Sequence, residues 1–379
     1  MGGAVSGLID LFKQHENLVE STGDKEKLGT FYSQLGIALC HRGKLEESYM
    51  YQYKSLKLGE IVACPKVIGH SCLRLSVVCA NLGRLEEGIK YGERACHLSG
   101  DAKAELPLHR AGLGALNAFY YSGNIKKLRE LGKRLREEGK RKSDTRHLAI
   151  TDIAFGTANF CSGNIKSAIK TFKSALDTSL DPMLIQLSAI CLGYAYLADN
   201  QHQKALSVSE EVLKFSEKHG FEFLGTTAMA FRGCALAATG DLNIGLEYID
   251  SAMSIWRKTN RRYTLALGNI IYGQLYLGIV EGGGPKSLSL MLKNIRSLIR
   301  LVPGAYRKAE KHFNNAVNIS SEIGARGLLG QAHLNLGRLY RSKKRKDQAR
   351  ENLLKAISVF ESIEANGFVK QSKNILSSL

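Results

Sequence analysis

A glycine-rich stretch, GIVEGGGPKS at residues 278–287, is the segment that most resembles a nucleotide-binding element. A phosphate-binding loop needs glycine directly before Lys-Ser, so that backbone N–H groups can wrap the phosphates. Here Pro285 precedes Lys286 and removes one of those donors, and no strand pattern comes before the segment. The sequence therefore favours a flexible hinge over a nucleotide site.

Histidines and acids offer no recognisable catalytic arrangement. The ten histidines are scattered, with no H-x-x-x-H pair or histidine–aspartate cluster typical of a metal site. There is also no G-x-S-x-G element, and no acid pair whose spacing suits glycosidic chemistry. We therefore predict a non-catalytic protein with no metal and no cofactor.

The eight cysteines contain no C-x-x-C pair, and most lie among small apolar residues of expected helices. Reduced, buried thiols are favoured over disulfides or a zinc site, which points to the cytoplasm. The N-terminus lacks a basic region followed by an apolar run, and no segment approaches 18 uninterrupted apolar residues. We expect neither secretion nor a membrane span.

The chain is basic, with 53 Lys and Arg against 35 Asp and Glu, a formal net charge of +18. Much of the positive charge falls in two segments, 126–142 and 338–350. Such patches suit nucleic acid, but acids are interleaved and stacking aromatics are lacking. A solvated helix face is favoured, and nucleic-acid binding remains an alternative.

A repeat organises the whole chain. Glycines at 43, 83, 123 and 163 are spaced by forty, and the turns SGNIK at 122–126 and 162–166 are identical. A fixed period of this size is typical of stacked helical repeats, and only five prolines interrupt the chain. Large, Leu-Gly and Tyr positions followed by Ala positions match the spacing of the tetratricopeptide motif. We predict an all-α, right-handed α-solenoid of about eight helix pairs, a single unit over 1–379.

The same period locates three irregular places. Residues 1–20 read as half of a repeat, or an N-terminal capping helix, and 368–379 as a C-terminal capping helix. In the seventh pair the second helix begins 24 residues further along the chain than the period predicts. The excess, 280–304, is expected to be a glycine-hinged inserted helix with an apolar stripe. Packing of that stripe on the solenoid is favoured over docking to a membrane or a partner.

Partner-binding residues are expected on the concave face, which the first helix of each pair lines in such stacks. The motif register places a mixed set of polar and aromatic side chains there, namely His70, Asn81, Arg110, Asn117, Tyr121, Tyr194 and Gln274. Neighbouring positions are apolar, so we expect a mixed groove rather than a highly charged one.

Several segments resemble a bacterial signalling family: LFKQHE at 11–16, GPKSLS at 284–289, KAEKHF at 308–313, IGARG at 323–327 and RKDQAR at 345–350. They are similar to the C-terminal tetratricopeptide region of proteins built as class III nucleotide cyclase, AAA-type ATPase and repeats, and more distantly to maltose-regulator-type ATPase activators. The resemblance covers the whole chain. It implies a sensory or scaffold segment that regulates an output domain. The cyclase metal-binding aspartates and the ATPase phosphate loop are missing from this chain, so no catalytic residue is carried over.

The sequence thus predicts a module that binds a protein or peptide and couples binding to a cyclase or AAA ATPase output domain, with the insert as docking place. Two alternatives stay open: nucleic-acid binding through the basic helices, and small-molecule sensing in the groove.

Overall fold

The computed structural model describes residues 4–282 and 288–379. Across these ranges it contains α-helices, one short 3-10 turn at Ala102–Ala104, and no strand. The helices are α1 (Ala4–Ser21), α2 (Lys25–His41), α3 (Leu45–Ile61), α4 (Pro65–Leu82), α5 (Leu85–Leu98), α6 (Leu108–Ser122), α7 (Ile125–Lys142), α8 (Thr145–Cys161), α9 (Ile165–Thr178), α10 (Pro182–Ala198), α11 (His202–His219), α12 (Glu222–Ala238), α13 (Leu242–Lys258), α14 (Arg262–Val280), α15 (Leu288–Lys293), α16 (Ile295–Leu301), α17 (Ala305–Ile323), α18 (Arg326–Ser342), α19 (Lys346–Ser362) and α20 (Asn366–Ser377).

The described residues form a stack of eight helix pairs: α2–α3, α4–α5, α6–α7, α8–α9, α10–α11, α12–α13, α14–α17 and α18–α19. Within several of these pairs, a glycine of the first helix faces a large side chain of the second. Gly156 faces Phe172, 16 residues later, whereas Gly273 faces Phe313, 40 residues later. The difference equals the 24-residue excess expected in the seventh pair. The prediction of an all-helical repeat solenoid is confirmed.

Local signals start and stop the helices. The side chain of Asp24 accepts a hydrogen bond from the Lys27 N–H and caps α2, and the side chain of Asp181 caps α10 in the same way. The turn glycine Gly83 ends α4 with a left-handed φ of +83°, a conformation that costs glycine little.

The stack winds into a superhelix tight enough for its own turns to touch. The first helix of each early pair contacts the first helix of the pair five places later: α2 with α12, α4 with α14, and α6 with α18. The Arg42 guanidinium pairs with the Glu222 carboxylate across this boundary. The amide of Asn260 donates to the Glu46 carboxylate at 3.1 Å. Ala80 of α4 and Ile270 of α14 also belong to one buried cluster, so the core is shared between successive turns of the superhelix.

The evenly spaced glycines lie at that boundary. The Gly367 N–H donates to the Ser162 carbonyl at 2.9 Å, and a Cβ added to Gly163 would lie 3.1 Å from the Gly367 Cα. A Cβ on Gly83 would lie 2.8 Å from the Cβ of Arg262. The forty-residue spacing thus sets tight turns within pairs and also permits close approach between superhelical turns.

The terminal helices differ in their surroundings. α1 packs Val5 and Ile9 against the first pair but leaves Leu18 exposed. α20 contacts α19 and, through Gly367, the α8–α9 turn about 200 residues earlier. Its role therefore extends beyond covering the last pair.

The insert in the seventh pair is not the single helix expected over 280–304. The hinge residues 283–287 lie outside the described residues. The segment that follows is divided into α15 and α16 at Asn294, whose side chain accepts from the Leu242 N–H at 2.9 Å and donates to the Gly240 carbonyl at 2.8 Å. Asn294, Ser297 and Leu301 form the buried side of the segment.

The expectation that the apolar stripe of the insert packs on the solenoid is largely wrong. Five apolar side chains of the segment are exposed: Met291, Leu292, Ile295, Ile299 and Val302. The reason is that the insert meets a polar turn at 240–243, which pairs with its Asn and Ser side chains. The helix is thereby rotated so that most of its stripe faces away.

One described helix, α14, is long and apolar enough by length and composition to cross a membrane. In the fold it packs against α17 and buries Ala266, Ile270 and Leu277 in the repeat core. Its apolar character is accounted for by that packing. None of the eight cysteines forms a disulfide.

Candidate functional site

The interior of the superhelix contains two adjoining cavities, which together we call the channel. Residues from the first helices of the first seven pairs line it, from Ile37 of α2 to Leu267 of α14. The larger cavity has a volume of about 420 Å³ and the smaller about 100 Å³. The larger volume is in the range of pockets that hold small ligands. Leu113, Leu187 and Phe223 are among the residues that contribute to both walls.

Three arginines converge on the larger cavity. Arg74, Arg110 and Arg146 come from the consecutive first helices α4, α6 and α8. Among the described residues the wall has one carboxylate, Asp181, which already accepts hydrogen bonds from the backbone N–H groups of Met183 and Leu184 at the start of α10. The cavity is therefore mixed in composition, as expected, but has an excess of positive charge.

Arg74 is the most buried of the three, with 6% of its surface exposed. Its guanidinium donates to the Ser33 hydroxyl, and its Nε has no hydrogen-bond partner within the described chain. No described carboxylate lies within 4 Å of it. Burial and the nearby Arg110 guanidinium lower the pKa of Arg74 to about 10. A buried cation without a counter-ion is costly, which marks this wall as a candidate anion site.

A second buried guanidinium, Arg261, lies behind the wall where the superhelical turns meet. It donates to the hydroxyls of Thr226 at 2.8 Å and Thr227 at 3.1 Å, and stacks over the ring of Phe223 at 4.1 Å. Burial lowers its pKa. Because hydroxyls and a carbonyl satisfy most of its donors, Arg261 organises the wall rather than facing a ligand directly.

The smaller cavity is aromatic. Tyr121 and Tyr263 stack with ring centroids 3.7 Å apart, and Tyr120 and Tyr194 complete much of the wall. Burial raises the pKa of Tyr194, and its hydroxyl has no hydrogen-bond partner in the described ranges. This end of the channel suits an apolar or aromatic group with a hydrogen-bond acceptor.

The expected groove residues fall in different places. Arg110 and Asn117 line the larger cavity, and Asn117, Tyr121 and Tyr194 line the smaller one. Three others do not line either cavity, namely His70, Asn81 and Gln274.

Each of those three has a definable setting. Asn81 is buried and donates to the Val77 carbonyl at 2.8 Å, with the Tyr121 hydroxyl 3.5 Å away. His70 is half-buried; burial, followed by Arg74 and Arg110, lowers its pKa to about 4. Gln274 is exposed on α14.

Sequence reasoning missed Arg74 and Arg146, although a signal was present. Arg74, Arg110 and Arg146 are spaced by 36 residues, four fewer than the forty-residue spacing of the turn glycines, so each lies about one helical turn further from its turn glycine than the one before. Because residues four apart share a helix face, the three arginines can still line one face of the stack, whereas the prediction from the motif register compared only equivalent positions.

A further cluster contradicts the expectation that no histidine–aspartate group exists. His109 on α6, Asp144 before α8 and His147 on α8 come together beside the channel. The spacing D-x-x-H at 144–147 was visible in the sequence, but its partner His109 is 35 residues away and only the packing of α6 on α8 brings it near.

Many cations of the two basic segments are already engaged. On α7, Lys127 pairs with Glu93, and Arg136 lies over the Phe155 ring at 4.6 Å. In the second segment, Arg338 pairs with Glu281 at 2.8 Å. Ion pairs and ring contacts reduce the charge that these helices present to a phosphate backbone.

Comparison with known proteins supports the repeat assignment. The family model "Tetratricopeptide repeat" matches residues 303–362, which span α17 to α19. No curated protein matches the sequence.

Solved structures similar to this chain are helical-repeat proteins. A Rap protein complexed with Competence and Sporulation Factor has a TM-score of 0.55 at 14% identity, covering 82% of this chain and 85% of its own. A signal transduction ATPase with numerous domains from Pyrococcus horikoshii has a TM-score of 0.45 at 14% identity, and the match covers 96% of this chain and 55% of that protein. At these identities the likeness concerns the fold, which is that of a tetratricopeptide-type helical-repeat protein.

Proposed function

We propose that the channel binds a short peptide through a carboxylate, either its C-terminus or an acidic side chain. The observation that carries the proposal is the convergence of Arg74, Arg110 and Arg146 on one cavity, with Arg74 buried and without a carboxylate partner among the described residues. Arg146 is paired with Asp144 at 3.2 Å, and it is exposed enough to turn toward a ligand.

The physical argument rests on the cost of burying charge. Withdrawing a guanidinium from water costs several kcal/mol unless it is paired and hydrogen-bonded. A carboxylate in the larger cavity would accept hydrogen bonds from Arg74 and Arg110, and charge-assisted bonds to arginine are stronger than neutral ones and often bidentate. The ligand would therefore supply the counter-ion that the wall lacks.

The aromatic cavity supports a peptide more than a small anion. This smaller cavity adjoins the larger cavity that the three arginines line, and the two cavities share Asn117 and Phe223. A peptide held by a carboxylate could place an apolar side chain among Tyr120, Tyr121 and Tyr194, with Asn117 available to its backbone. A Rap protein of the same fold is complexed with Competence and Sporulation Factor, and a protein or peptide is the class of partner to test first.

Such a ligand would contact both superhelical turns. The wall of the larger cavity combines Val77 of the second pair with Phe223 and Leu224 of the sixth pair. These two pairs belong to successive turns of the superhelix. Binding would hold the turns together, and small-angle scattering should then give a smaller radius of gyration with ligand than without it.

The test uses short synthetic peptides, each prepared with a free C-terminal carboxylate and as the C-terminal amide, some carrying Asp or Glu. Binding is measured by calorimetry and thermal shift. We expect carboxylate-bearing peptides to bind, and Arg110→Ala to weaken binding roughly 10- to 100-fold, the loss of one hydrogen-bonded charge contact. Lys140→Ala, on the exposed side of α7, is the matched control and should change nothing.

The outcomes separate the alternatives. Equal binding of acidic and fully neutral peptides, or no effect of Arg110→Ala, would refute carboxylate recognition. Salt-sensitive binding of a single-stranded oligonucleotide that Lys140→Ala weakens would favour the nucleic-acid alternative instead. A thermal shift with small metabolic acids but with no peptide would favour small-molecule sensing.

We also propose that ligand binding regulates an output domain of the cyclase or AAA ATPase class, and that the protein acts in the cytoplasm without catalysing a reaction itself. The exposed apolar residues of the insert support a docking role, since Ile295 and Ile299 are 51% and 67% exposed on adjacent turns of α16. The test is a pull-down of a co-encoded output domain by the chain and by Ile295→Ser/Ile299→Ser. Capture that is absent, or equal for both proteins, would refute this role.

A further inference from the structure

His109, Asp144 and His147 form a compact group at the junction of α6 and α8. His109 is the second residue of α6, Asp144 is the N-cap of α8, and His147 lies in the first turn of α8. Their donor atoms all lie within 4.8 Å of one another. The Asp144 Oδ2 lies 3.2 Å from the His147 Nδ1 and 3.9 Å from the His109 Nδ1.

The two imidazoles are buried without the hydrogen bonds that buried rings normally make. His147 is 1% exposed, and neither of its ring nitrogens makes a hydrogen bond in the described part of the chain, although the Nδ1 lies 3.2 Å from the Asp144 carboxylate. The Nδ1 of His109, which is 5% exposed, is also unpartnered. Buried polar atoms in native proteins are nearly always bonded, and an exception calls for an ion, a water or a functional role.

We propose that His109, Asp144 and His147 bind a divalent transition-metal ion of the Zn²⁺ type through two imidazole nitrogens and one carboxylate oxygen. Imidazole donors favour Zn²⁺, Ni²⁺ or Cu²⁺ over Mg²⁺ and Ca²⁺, which prefer oxygen ligands. The proposal rests on these three side chains and does not require that the channel binds a peptide.

The geometry is close to what a tetrahedral ion requires. Zinc–ligand bonds of about 2.0–2.1 Å place neighbouring ligand atoms about 3.3 Å apart. The Asp144–His147 separation of 3.2 Å already meets this value. The Asp144–His109 separation of 3.9 Å needs a closure of roughly 0.6 Å, which is within the reach of side-chain rotation.

The charge around the group can adjust to a cation. Asp144 also accepts hydrogen bonds from the Arg146 side chain at 3.2 Å and from the Arg146 N–H at 2.9 Å. The Arg146 side chain is 56% exposed and can leave the carboxylate for solvent or for the channel. Since His109 is also part of the channel wall, a fourth coordination position would face the larger cavity.

The test adds Co²⁺, and then Zn²⁺, to the full chain after removal of bound metal with a chelator. We expect one Co²⁺ per chain with the visible absorption of a tetrahedral site, displaced by Zn²⁺. Asp144→Asn and His147→Gln should each weaken Zn²⁺ binding at least tenfold in calorimetry, whereas His70→Gln, a half-buried histidine outside the group, should leave it unchanged.

Asp144→Asn is the safer variant, because asparagine caps a helix about as well as aspartate and far-UV circular dichroism should be unaffected. The proposal is overturned if the wild-type chain binds neither ion stoichiometrically. It is equally overturned if binding persists unchanged in Asp144→Asn and His147→Gln, since the ion would then be held by thiols or by other histidines.

Discussion

Gly367→Ala tests whether the contact between superhelical turns stabilises the fold. Gly367 is the second residue of α20 and its N–H donates to the Ser162 carbonyl at 2.9 Å. A Cβ at this position would lie 2.5 Å from that carbonyl oxygen and 3.1 Å from the Gly163 Cα. Both neighbours are backbone atoms, so the clash is relieved only if α20 and the α8–α9 turn move apart.

The expected magnitude follows from three contributions. Overpacking costs about 1–3 kcal/mol, and losing the hydrogen bond costs about 0.5–1.5 kcal/mol. Alanine gains at most about 1 kcal/mol over glycine in a helix. We therefore expect Gly367→Ala to lower the free energy of unfolding by about 0.5–3.5 kcal/mol.

Gly327→Ala provides a matched control. Gly327 is likewise the second residue of a helix, α18, but a Cβ there would meet nothing within 4 Å. It should stabilise the chain by up to about 1 kcal/mol, the ordinary gain of alanine over glycine in a helix.

The two variants are compared by urea unfolding, and by amide hydrogen exchange of α19 and α20, because repeat arrays can unfold in parts. We expect faster exchange in α20 for Gly367→Ala alone. If Gly367→Ala is as stable as Gly327→Ala, contact between superhelical turns contributes nothing and the reasoning is refuted.

Three further predictions concern the core, the pH dependence and the surface. Trp256, the sole tryptophan, is 0% exposed, so its fluorescence should be blue-shifted and protected from acrylamide; Trp256→Ala should cost about 3–5 kcal/mol in urea unfolding. Ready quenching of the native protein would contradict this burial. Burial, assisted by Arg74, lowers the pKa of His41 to about 4 from 6.5, so its contribution to stability is full above pH 6.5 and is lost as the pH falls toward 4. His41→Gln should make that loss shallower in unfolding curves across this range, and an unchanged slope would count against it. Glu222→Ala removes the exposed ion pair with Arg42 and should change stability by less than about 1 kcal/mol; a larger loss would mean that the pair is essential to the contact between turns.

The local features of the fold were readable from the sequence because they depend on short-range patterns. Helix pairing, the forty-residue unit and the late second helix of the seventh pair follow from glycine spacing and apolar periodicity, which act within one repeat. Gly273 and Phe313 are an example, because their separation in the sequence was enough to locate the 24 extra residues of the seventh pair.

The insert shows where the same reasoning failed. An apolar stripe indicates a face that can be buried, but it does not specify the surface available to cover it. Here the neighbouring turn at 240–243 is polar, and Asn294 and Ser297 bind it. Ile295 and Ile299 therefore stay exposed, an outcome set by the partner surface.

The sequence by itself determined what each repeat is: its helices, its turns and its place in the stack. Only the tertiary structure decided how far the stack winds, and therefore that Gly163 meets Gly367 and that three arginines converge on one cavity with Phe223 of a distant pair opposite them. The physical reason is that small rotations between neighbouring pairs accumulate along a solenoid. Contacts between pairs five places apart depend on their sum, which no single repeat encodes.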